Sequence, residues 1–88
     1  MTSSLEIRKI LFLSTAHLDP DSGQQANPQW ASMTSEYGFL VYVGTNWELR
    51  EAPECVQRAA EVARRNGCEY ICFDRDADII DELETWEW

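Results

Sequence analysis

The chain has 88 residues, 44% of them hydrophobic, and its 16 acidic and 7 basic residues give a formal net charge of −9. A chain of this length forms one domain around one core, here expected over residues 1–88. Its charge disfavours direct binding to nucleic acid, because phosphate contacts require a basic surface. No apolar run approaches the roughly 20 residues of a membrane span, so no membrane contact is predicted.

The first half of the chain predicts three strands. Residues 7–14 are rich in branched and aromatic side chains and are too short for a core helix, which favours a strand. Polar turn residues follow over 19–23. Residues 30–35 predict a second strand, and a turn at 36–38 leads into residues 39–43 (FLVYV), the clearest strand pattern in the sequence.

The main helix is predicted over residues 53–66. Pro53 suits a first helical position, and Glu54 in the first turn interacts favourably with the helix dipole. Gly67 can end the helix in a left-handed conformation. Apolar residues at helical spacing predict one buried face: Val56, Ala59, Ala60 and Ala63.

Residues 68–73 (CEYICF) predict the last strand. Because a strand, a helix and a strand follow one another from residue 39 to residue 73, we expect the two strands to pair in parallel through a right-handed crossover. The predicted fold class is therefore α+β, a single small domain. Its sheet would be mixed, with three to five strands, and the main helix would pack on one face.

The end of the chain concentrates the negative charge, with seven carboxylates and a single base, Arg75, in residues 74–88. Burying an unpaired carboxylate is costly, so this segment must face water or a positively charged partner. If residues 74–78 were extended, their three aspartates would share one face about 7 Å apart. The predicted partner-binding residues are Asp74, Asp76, Asp78, Asp81, Glu82, Glu84, Glu87, Trp86 and Trp88.

The two tryptophans at the end of the chain admit two interpretations. Trp86 and Trp88 stand at alternate positions and would share one face of a strand, where they could cover the sheet. If they are exposed among the carboxylates instead, they form an aromatic anchor with a charged rim, suited to a protein partner. Covering the core is the favoured interpretation.

The acidic cluster carries only an incomplete metal-site signal. A calcium loop that began at Asp74 would need glycine where Ile79 stands and glutamate where Thr85 stands. A magnesium site using Asp74 and Asp76 at the end of a strand fits better. A solvated acidic turn capped by Asp74 is favoured over either site, so no metal is predicted.

His17 is the single histidine of the chain. It follows Ser14 and Thr15, but Ser14 lacks the flanking glycines of a nucleophile elbow. We therefore expect Ser14 or Thr15 to cap a turn while His17 packs beside it. No catalytic residue is predicted, and no cofactor, because the chain has no phosphate-cradling glycine loop or dinucleotide fingerprint.

The cysteines and the start of the chain favour a reducing compartment. Cys55, Cys68 and Cys72 are odd in number and lack the spacing of a disulfide framework. The first residues lack the basic region of a signal peptide. A cytoplasmic protein with reduced, structural cysteines is expected.

Three patches together resemble a known family: residues 13–18 (LSTAHL), residues 37–43 (YGFLVYV) and the end of the chain. The last patch contains residues 64–70 (RRNGCEY), 73–78 (FDRDAD) and 86–88 (WEW). The chain resembles a family of small uncharacterised proteins from bacterial genomes, plasmids and phages, described as a domain of unknown function. That resemblance implies a setting among mobile elements and no particular chemistry.

Three functions are compatible with these features. The favoured one is a non-enzymatic inhibitor from a phage or mobile element, a monomer or homodimer that mimics nucleic acid and occupies a basic host-defence effector of the CRISPR or restriction type. The second is a metal-assisted hydrolase that uses Asp74, Asp76 and His17. The third is a regulatory or structural interaction module, including a homodimer through an exposed strand edge.

Overall fold

A computed structural model describes residues 5, 7–25, 28–36, 38–43 and 51–87, which form a four-stranded mixed sheet and one main helix. This arrangement confirms the predicted α+β class. The strands run in the order β1–β4–β3–β2 across the sheet. Their bounds are β1 Ile10–Leu13, β2 Met33–Ser35, β3 Gly38–Tyr42 and β4 Tyr70–Asp74.

Three helical segments lie wholly within the described residues and accompany the sheet. A 3-10 helix, Thr15–His17, follows β1, and a four-residue helix, α1 (Pro20–Gly23), comes next. The main helix, α2, spans Glu54–Arg65, within one residue of its predicted bounds, and Gly67 adopts the expected left-handed φ of 71° after it. None of the helices described is long and apolar enough to cross a membrane.

Strand β4 joins the two halves of the sheet. It pairs in parallel with β1 and antiparallel with β3. The predicted parallel pairing of the strands on either side of α2 is therefore wrong. The chain leaves β3 at Tyr42 and enters β4 at Tyr70, which are register partners, so α2 returns the chain to the end of the sheet from which it departed. For β4 to pair in parallel with β3, the chain would have had to re-enter the sheet at its opposite end.

The core lies between α2 and one face of the sheet. Alternate strand residues point toward the helix and are buried, and small side chains on α2 allow its backbone to approach the sheet closely. The buried sheet residues are Leu13, Phe39, Val41, Ile71 and Phe73, and those of α2 are Cys55, Val56, Ala59, Ala60, Val62 and Ala63.

The second strand is shorter than predicted because Trp30 belongs to the turn before it. Trp30 is 5% exposed, and its ring centroid lies 5.0 Å from that of Phe39 and 6.3 Å from that of Phe73. The indole therefore closes one end of the core. The strand itself begins at Met33.

Gly38 permits a close backbone approach between β3 and β4. It is the register partner of Asp74 and has a φ of 155°. A Cβ atom at this position would lie 1.7 Å from the carbonyl oxygen of Phe73, whereas a Cβ atom at Gly67 would contact only the Lys9 Nζ, at 3.8 Å. Any side chain at position 38 would therefore force β3 away from β4.

Substituting the two glycines should separate steric exclusion from backbone strain. We expect Gly67→Ala to lower the free energy of unfolding by about 1–2 kcal/mol, the cost of a left-handed alanine. Gly38→Ala should cost at least about 3 kcal/mol, because the β3–β4 pairing itself must open. Urea denaturation followed by circular dichroism measures both values. Equal losses in the two variants would contradict the close approach of β3 to β4.

Candidate functional site

The chain that follows β4 lies against the turn that follows β1. We name residues 76–87 the acidic strap. Near its start, the Ser14 N–H donates to the carbonyl oxygen of Asp78 at 3.1 Å, and near its end the Trp86 N–H donates to the carbonyl oxygen of Ala16 at 2.9 Å. Two main-chain hydrogen bonds thus fix both ends of the strap to residues 14–16.

His17 holds the middle of the strap. Its Nε2 accepts a hydrogen bond from the Ile80 N–H at 3.0 Å, which places the ring proton on Nδ1. Nδ1 lies 3.0 Å from the carbonyl oxygen of Glu84, to which it therefore donates. The neutral imidazole satisfies one donor and one acceptor of the strap backbone, while the side chain is buried at 2% exposure.

The local sequence explains why His17 points inward. Ser14 caps the 3-10 helix Thr15–His17, and its hydroxyl accepts a hydrogen bond from the Ala16 N–H at 3.0 Å. The prediction that Ser14 or Thr15 caps a turn with His17 packed beside it is confirmed. What the sequence argument missed is the role of the histidine, whose partners lie 63 and 67 residues further along the chain.

Every third residue of the strap region faces inward. Ala77, Ile80, Leu83 and Trp86 are half-buried, and the residues between them are exposed. Ile80, Leu83 and Trp86 pack against the core, which confirms the favoured interpretation for Trp86. The apolar three-residue spacing is visible in the sequence and would have predicted this arrangement. Trp88 lies outside the described residues.

Most of the strap carboxylates form no ion pair within the described part of the chain. Glu82 is the exception, because it forms an ion pair with Arg65 at 2.9 Å. That hydrogen bond and the charge of Glu82 raise the pKa of Arg65 above its ordinary value. Five strap carboxylates are exposed and form no ion pair with the residues described: Asp76, Asp78, Asp81, Glu84 and Glu87.

Asp74 has a structural role at the start of this region. It is half-buried, and its Oδ1 accepts a hydrogen bond from the Asp76 N–H at 2.9 Å while its carbonyl oxygen accepts one from the Ala77 N–H at 3.0 Å. Residues 74–77 therefore form a turn capped by Asp74, the favoured interpretation of this cluster. The extended row of three aspartates, the condition for a shared face, is not formed.

The remaining bases with described partners bind away from the strap, so they do not neutralise it. Their partners are Glu69 for Arg8, the carbonyl oxygen of Asn66 for Lys9, Glu54 for Arg58, and the carbonyl oxygen of Val43 for Arg64. These four bases therefore leave the exposed carboxylates of the strap to face solvent.

The residues of the proposed hydrolase do not form a ready-made metal site in this structure. Both ring nitrogens of His17 form hydrogen bonds with the strap backbone, and Oδ1 of Asp74 accepts a hydrogen bond from the Asp76 N–H. Within the part of the chain that is described, no group of three or more His, Cys, Asp or Glu side chains is placed to hold a metal ion. No observation favours the hydrolase, which stays an untested prediction.

The three cysteines are free thiols. Cys55 is buried beside α1, with its Sγ 3.5 Å from Asp19 Oδ2, and burial raises the pKa of this thiol. Burial is also the main cause of the raised pKa of Cys72, and the charge of Asp74 adds to it. A raised pKa leaves less of the reactive thiolate at neutral pH, which suits the predicted structural role.

A cleft of about 670 Å³ opens beside the strap, where the parallel strands β1 and β4 end. Ligands of α/β sheets commonly bind at such strand ends. The lining includes hydroxyl groups, a carboxylate, a guanidinium group and an indole ring. These groups belong to Ser14, Thr15, Thr34, Ser35, Glu36, Arg75 and Trp86.

The region that matches a known family contains the whole of this site. Residues 10–88 match the model of a family of unknown function (DUF5983), described as its C-terminal domain. The chain belongs to this family. The DUF5983 match covers all four strands, α2 and the strap, and the family description assigns no activity. Comparisons with curated proteins and with solved structures gave no match.

Replacing His17 should release the strap. In His17→Phe, the Ile80 N–H and the Glu84 carbonyl lose their partner, and each unsatisfied group costs about 1–3 kcal/mol. We expect the amides of Ile80 and Trp86 to exchange faster with solvent, as measured by hydrogen exchange with NMR detection. Asp81→Asn, an exposed change on the same segment, serves as the control. Unchanged exchange at Ile80 in His17→Phe would contradict the assigned contact.

Asp19 should make stability depend on pH. Its side chain caps α1 by accepting the Ser22 N–H at 2.7 Å, and chiefly this bond lowers the pKa of Asp19. Because the pKa of Asp19 is lower in the folded state than in the unfolded state, its charged form stabilises the fold at pH values above the ordinary carboxyl pKa. This stabilisation is lost as the pH falls through the folded-state pKa. Asp19→Ala should therefore cost about 1 kcal/mol at neutral pH and less in acid.

The control for Asp19 is the neighbouring exposed carboxylate of Asp21. Urea denaturation at several pH values between neutrality and about pH 2 measures the free energy of unfolding of each variant. Asp21→Ala should lose little at any pH. A cost of Asp19→Ala that stays constant across the range would show that the charged form of the cap does not carry the stabilisation.

Proposed function

We propose that this chain is a non-enzymatic binding protein whose acidic strap occupies the basic, nucleic-acid-binding surface of another protein. The observation that carries the proposal is the strap held by His17, with its backbone fixed inward and five carboxylates exposed and unpaired within the described structure. Closely spaced negative charges are the chemical feature that such a protein recognises in a phosphate backbone.

A fixed strap favours binding in two ways. Because the main chain of the strap is already ordered, less conformational entropy is lost when a partner binds. The exposed carboxylates can accept charge-assisted and bidentate hydrogen bonds from arginine. The net charge of −9 also attracts a basic partner over distance and raises the association rate.

Charge alone does not give high affinity. An exposed ion pair contributes about 0–1 kcal/mol, so further contacts are required. Trp86 is half-buried against the core and offers only part of its ring. The cleft beside the strap supplies hydrogen-bonding groups in a concave site, and we propose that it receives a side chain or main-chain segment of the same partner.

The class of partner follows from charge and resemblance. We propose a host-defence effector of the CRISPR or restriction type, inhibited in the cytoplasm of a bacterial host by occlusion of its nucleic-acid site. Support comes from the acidity of the chain and from the resemblance of residues 13–18, 37–43 and 73–78 to proteins of plasmids and phages. Both are associational arguments, since fold and family assign no activity.

Neutralising the strap should weaken partner binding. The test variant Asp76→Asn, Asp78→Asn, Asp81→Asn removes three exposed charges and spares Asp74, which caps the turn. We expect the dissociation constant to rise about tenfold or more, from three pairs worth up to about 1 kcal/mol each. Binding of the native chain should also weaken steeply with salt.

The measurement starts from capture of partners from a bacterial lysate on the immobilised chain, with salt elution and mass spectrometry. Affinity for the captured protein, and competition with its nucleic acid, are then measured by calorimetry. The matched control is Asp21→Asn, Glu51→Gln, Glu61→Gln, which removes the same charge from exposed positions off the strap. Equal weakening by both triple variants, or by neither, would refute the strap as the recognition surface.

A further inference from the structure

The sheet has a second face that α2 does not cover. Its side chains come from the strand positions that alternate with the buried ones, and we name this surface the open face. The residues of the open face are Ile10 and Phe12 of β1, Met33 and Ser35 of β2, Gly38, Leu40 and Tyr42 of β3, and Tyr70, Cys72 and Asp74 of β4.

Apolar side chains cross the open face in register. One row spans all four strands, because each of its residues is the register partner of the next. In order across the sheet, the row is Phe12, Cys72, Leu40 and Met33. A second row contains Ile10, Tyr70 and Tyr42, in which the two tyrosine rings pack with centroids 5.3 Å apart. The face is a continuous apolar surface rather than a scatter of single residues.

This surface is unusual for a sheet face in contact with solvent. The solvated face of an antiparallel or mixed sheet is ordinarily polar. Here Phe12 is 58% exposed, Met33 64% and Ile10 43%. A contiguous exposed apolar patch on a small protein marks an interaction site.

We propose that the open face binds the open face of a second copy of this chain. The charge pattern identifies the occupant. In a twofold dimer both copies bring the same net charge to the interface, so a self-associating face must carry little net charge. Asp74, at one corner, is the single charged residue among the strand positions of the open face. A basic partner would instead be matched by carboxylates, and apart from Asp74 those lie outside the strand positions of the open face.

The size of the open face sets the strength of the association. Four strands span about 14 Å, and five residues extend about 17 Å. This footprint is well below the roughly 800 Å² per partner of a standard stable interface. The dimer is therefore weak and reversible, with a dissociation constant between about 10 µM and 1 mM, in the range of transient contacts.

Salt should strengthen this dimer. Each copy carries a net charge of −9, and the two copies repel one another through their acidic surfaces. Raising salt screens the repulsion, while the apolar contact is unaffected or slightly strengthened. This response has the opposite sign to that of the proposed binding to a basic partner. The proposed dimer and the proposed binding to a basic partner can therefore be tested independently.

Sedimentation equilibrium of the reduced full chain tests the proposal. With protein from about 5 µM to 1 mM, the average mass should rise from 10.2 kDa toward twice that value. Between about 20 mM and 500 mM NaCl, the Debye length falls from about 20 Å to about 4 Å, and the dissociation constant should fall at least about threefold. A mass of 10.2 kDa at every concentration, or association that weakens with salt, would overturn the proposal.

A pair of variants with equal exposure locates the interface. Phe12→Gln removes an apolar side chain from the edge strand β1 of the open face, and Ile79→Gln removes one that is also 58% exposed but lies on the strap. We expect Phe12→Gln to raise the dissociation constant at least about tenfold and Ile79→Gln to leave it unchanged. Circular dichroism confirms that each variant is folded. Equal effects of the two changes, or an effect of Ile79→Gln alone, would overturn the assignment.

Discussion

The two hydrogen bonds of His17 are the interaction on which the candidate site depends. The strap carries six carboxylates in residues 76–87, and an isolated segment with this charge density would not hold one conformation in water. A buried imidazole that binds the Ile80 N–H and the Glu84 carbonyl supplies the missing constraint. Because those bonds use the strap backbone, the acidic side chains are left to point outward.

The topology of the sheet explains why His17 can reach the strap. Strands β1 and β4 are parallel neighbours, so the segments that follow them leave the sheet at the same end. The turn after β1 therefore carries Ser14 and His17 to the place where the chain leaves Asp74. Gly38 completes this end of the sheet by allowing β3 to lie close against β4. The fold thus brings together two segments that are far apart in sequence.

The sequence predicted those parts of the structure that depend on local periodicity. The apolar stripe of α2, the alternation in β3 and the capping serine before His17 each act within a few residues. The antiparallel pairing of β3 and β4 was missed because it depends on the end of the sheet at which the chain enters β4, which no local pattern in the sequence determines. The place of Trp30 in the core, before β2 rather than within it, was missed because tertiary packing determines it.

In the candidate site, too, some features follow from the sequence alone and others depend on the fold. Exposure of the carboxylates followed from the cost of burying charge, whereas the partners of His17 could not be inferred from one histidine without the fold. The most direct test of the central claim is the tautomer of His17, read from long-range proton–nitrogen correlation NMR of the folded chain at neutral pH. The structure predicts a proton on Nδ1 and an unprotonated Nε2 that accepts a hydrogen bond from the Ile80 N–H. A proton on Nε2, or a ring that averages both forms, would contradict the account.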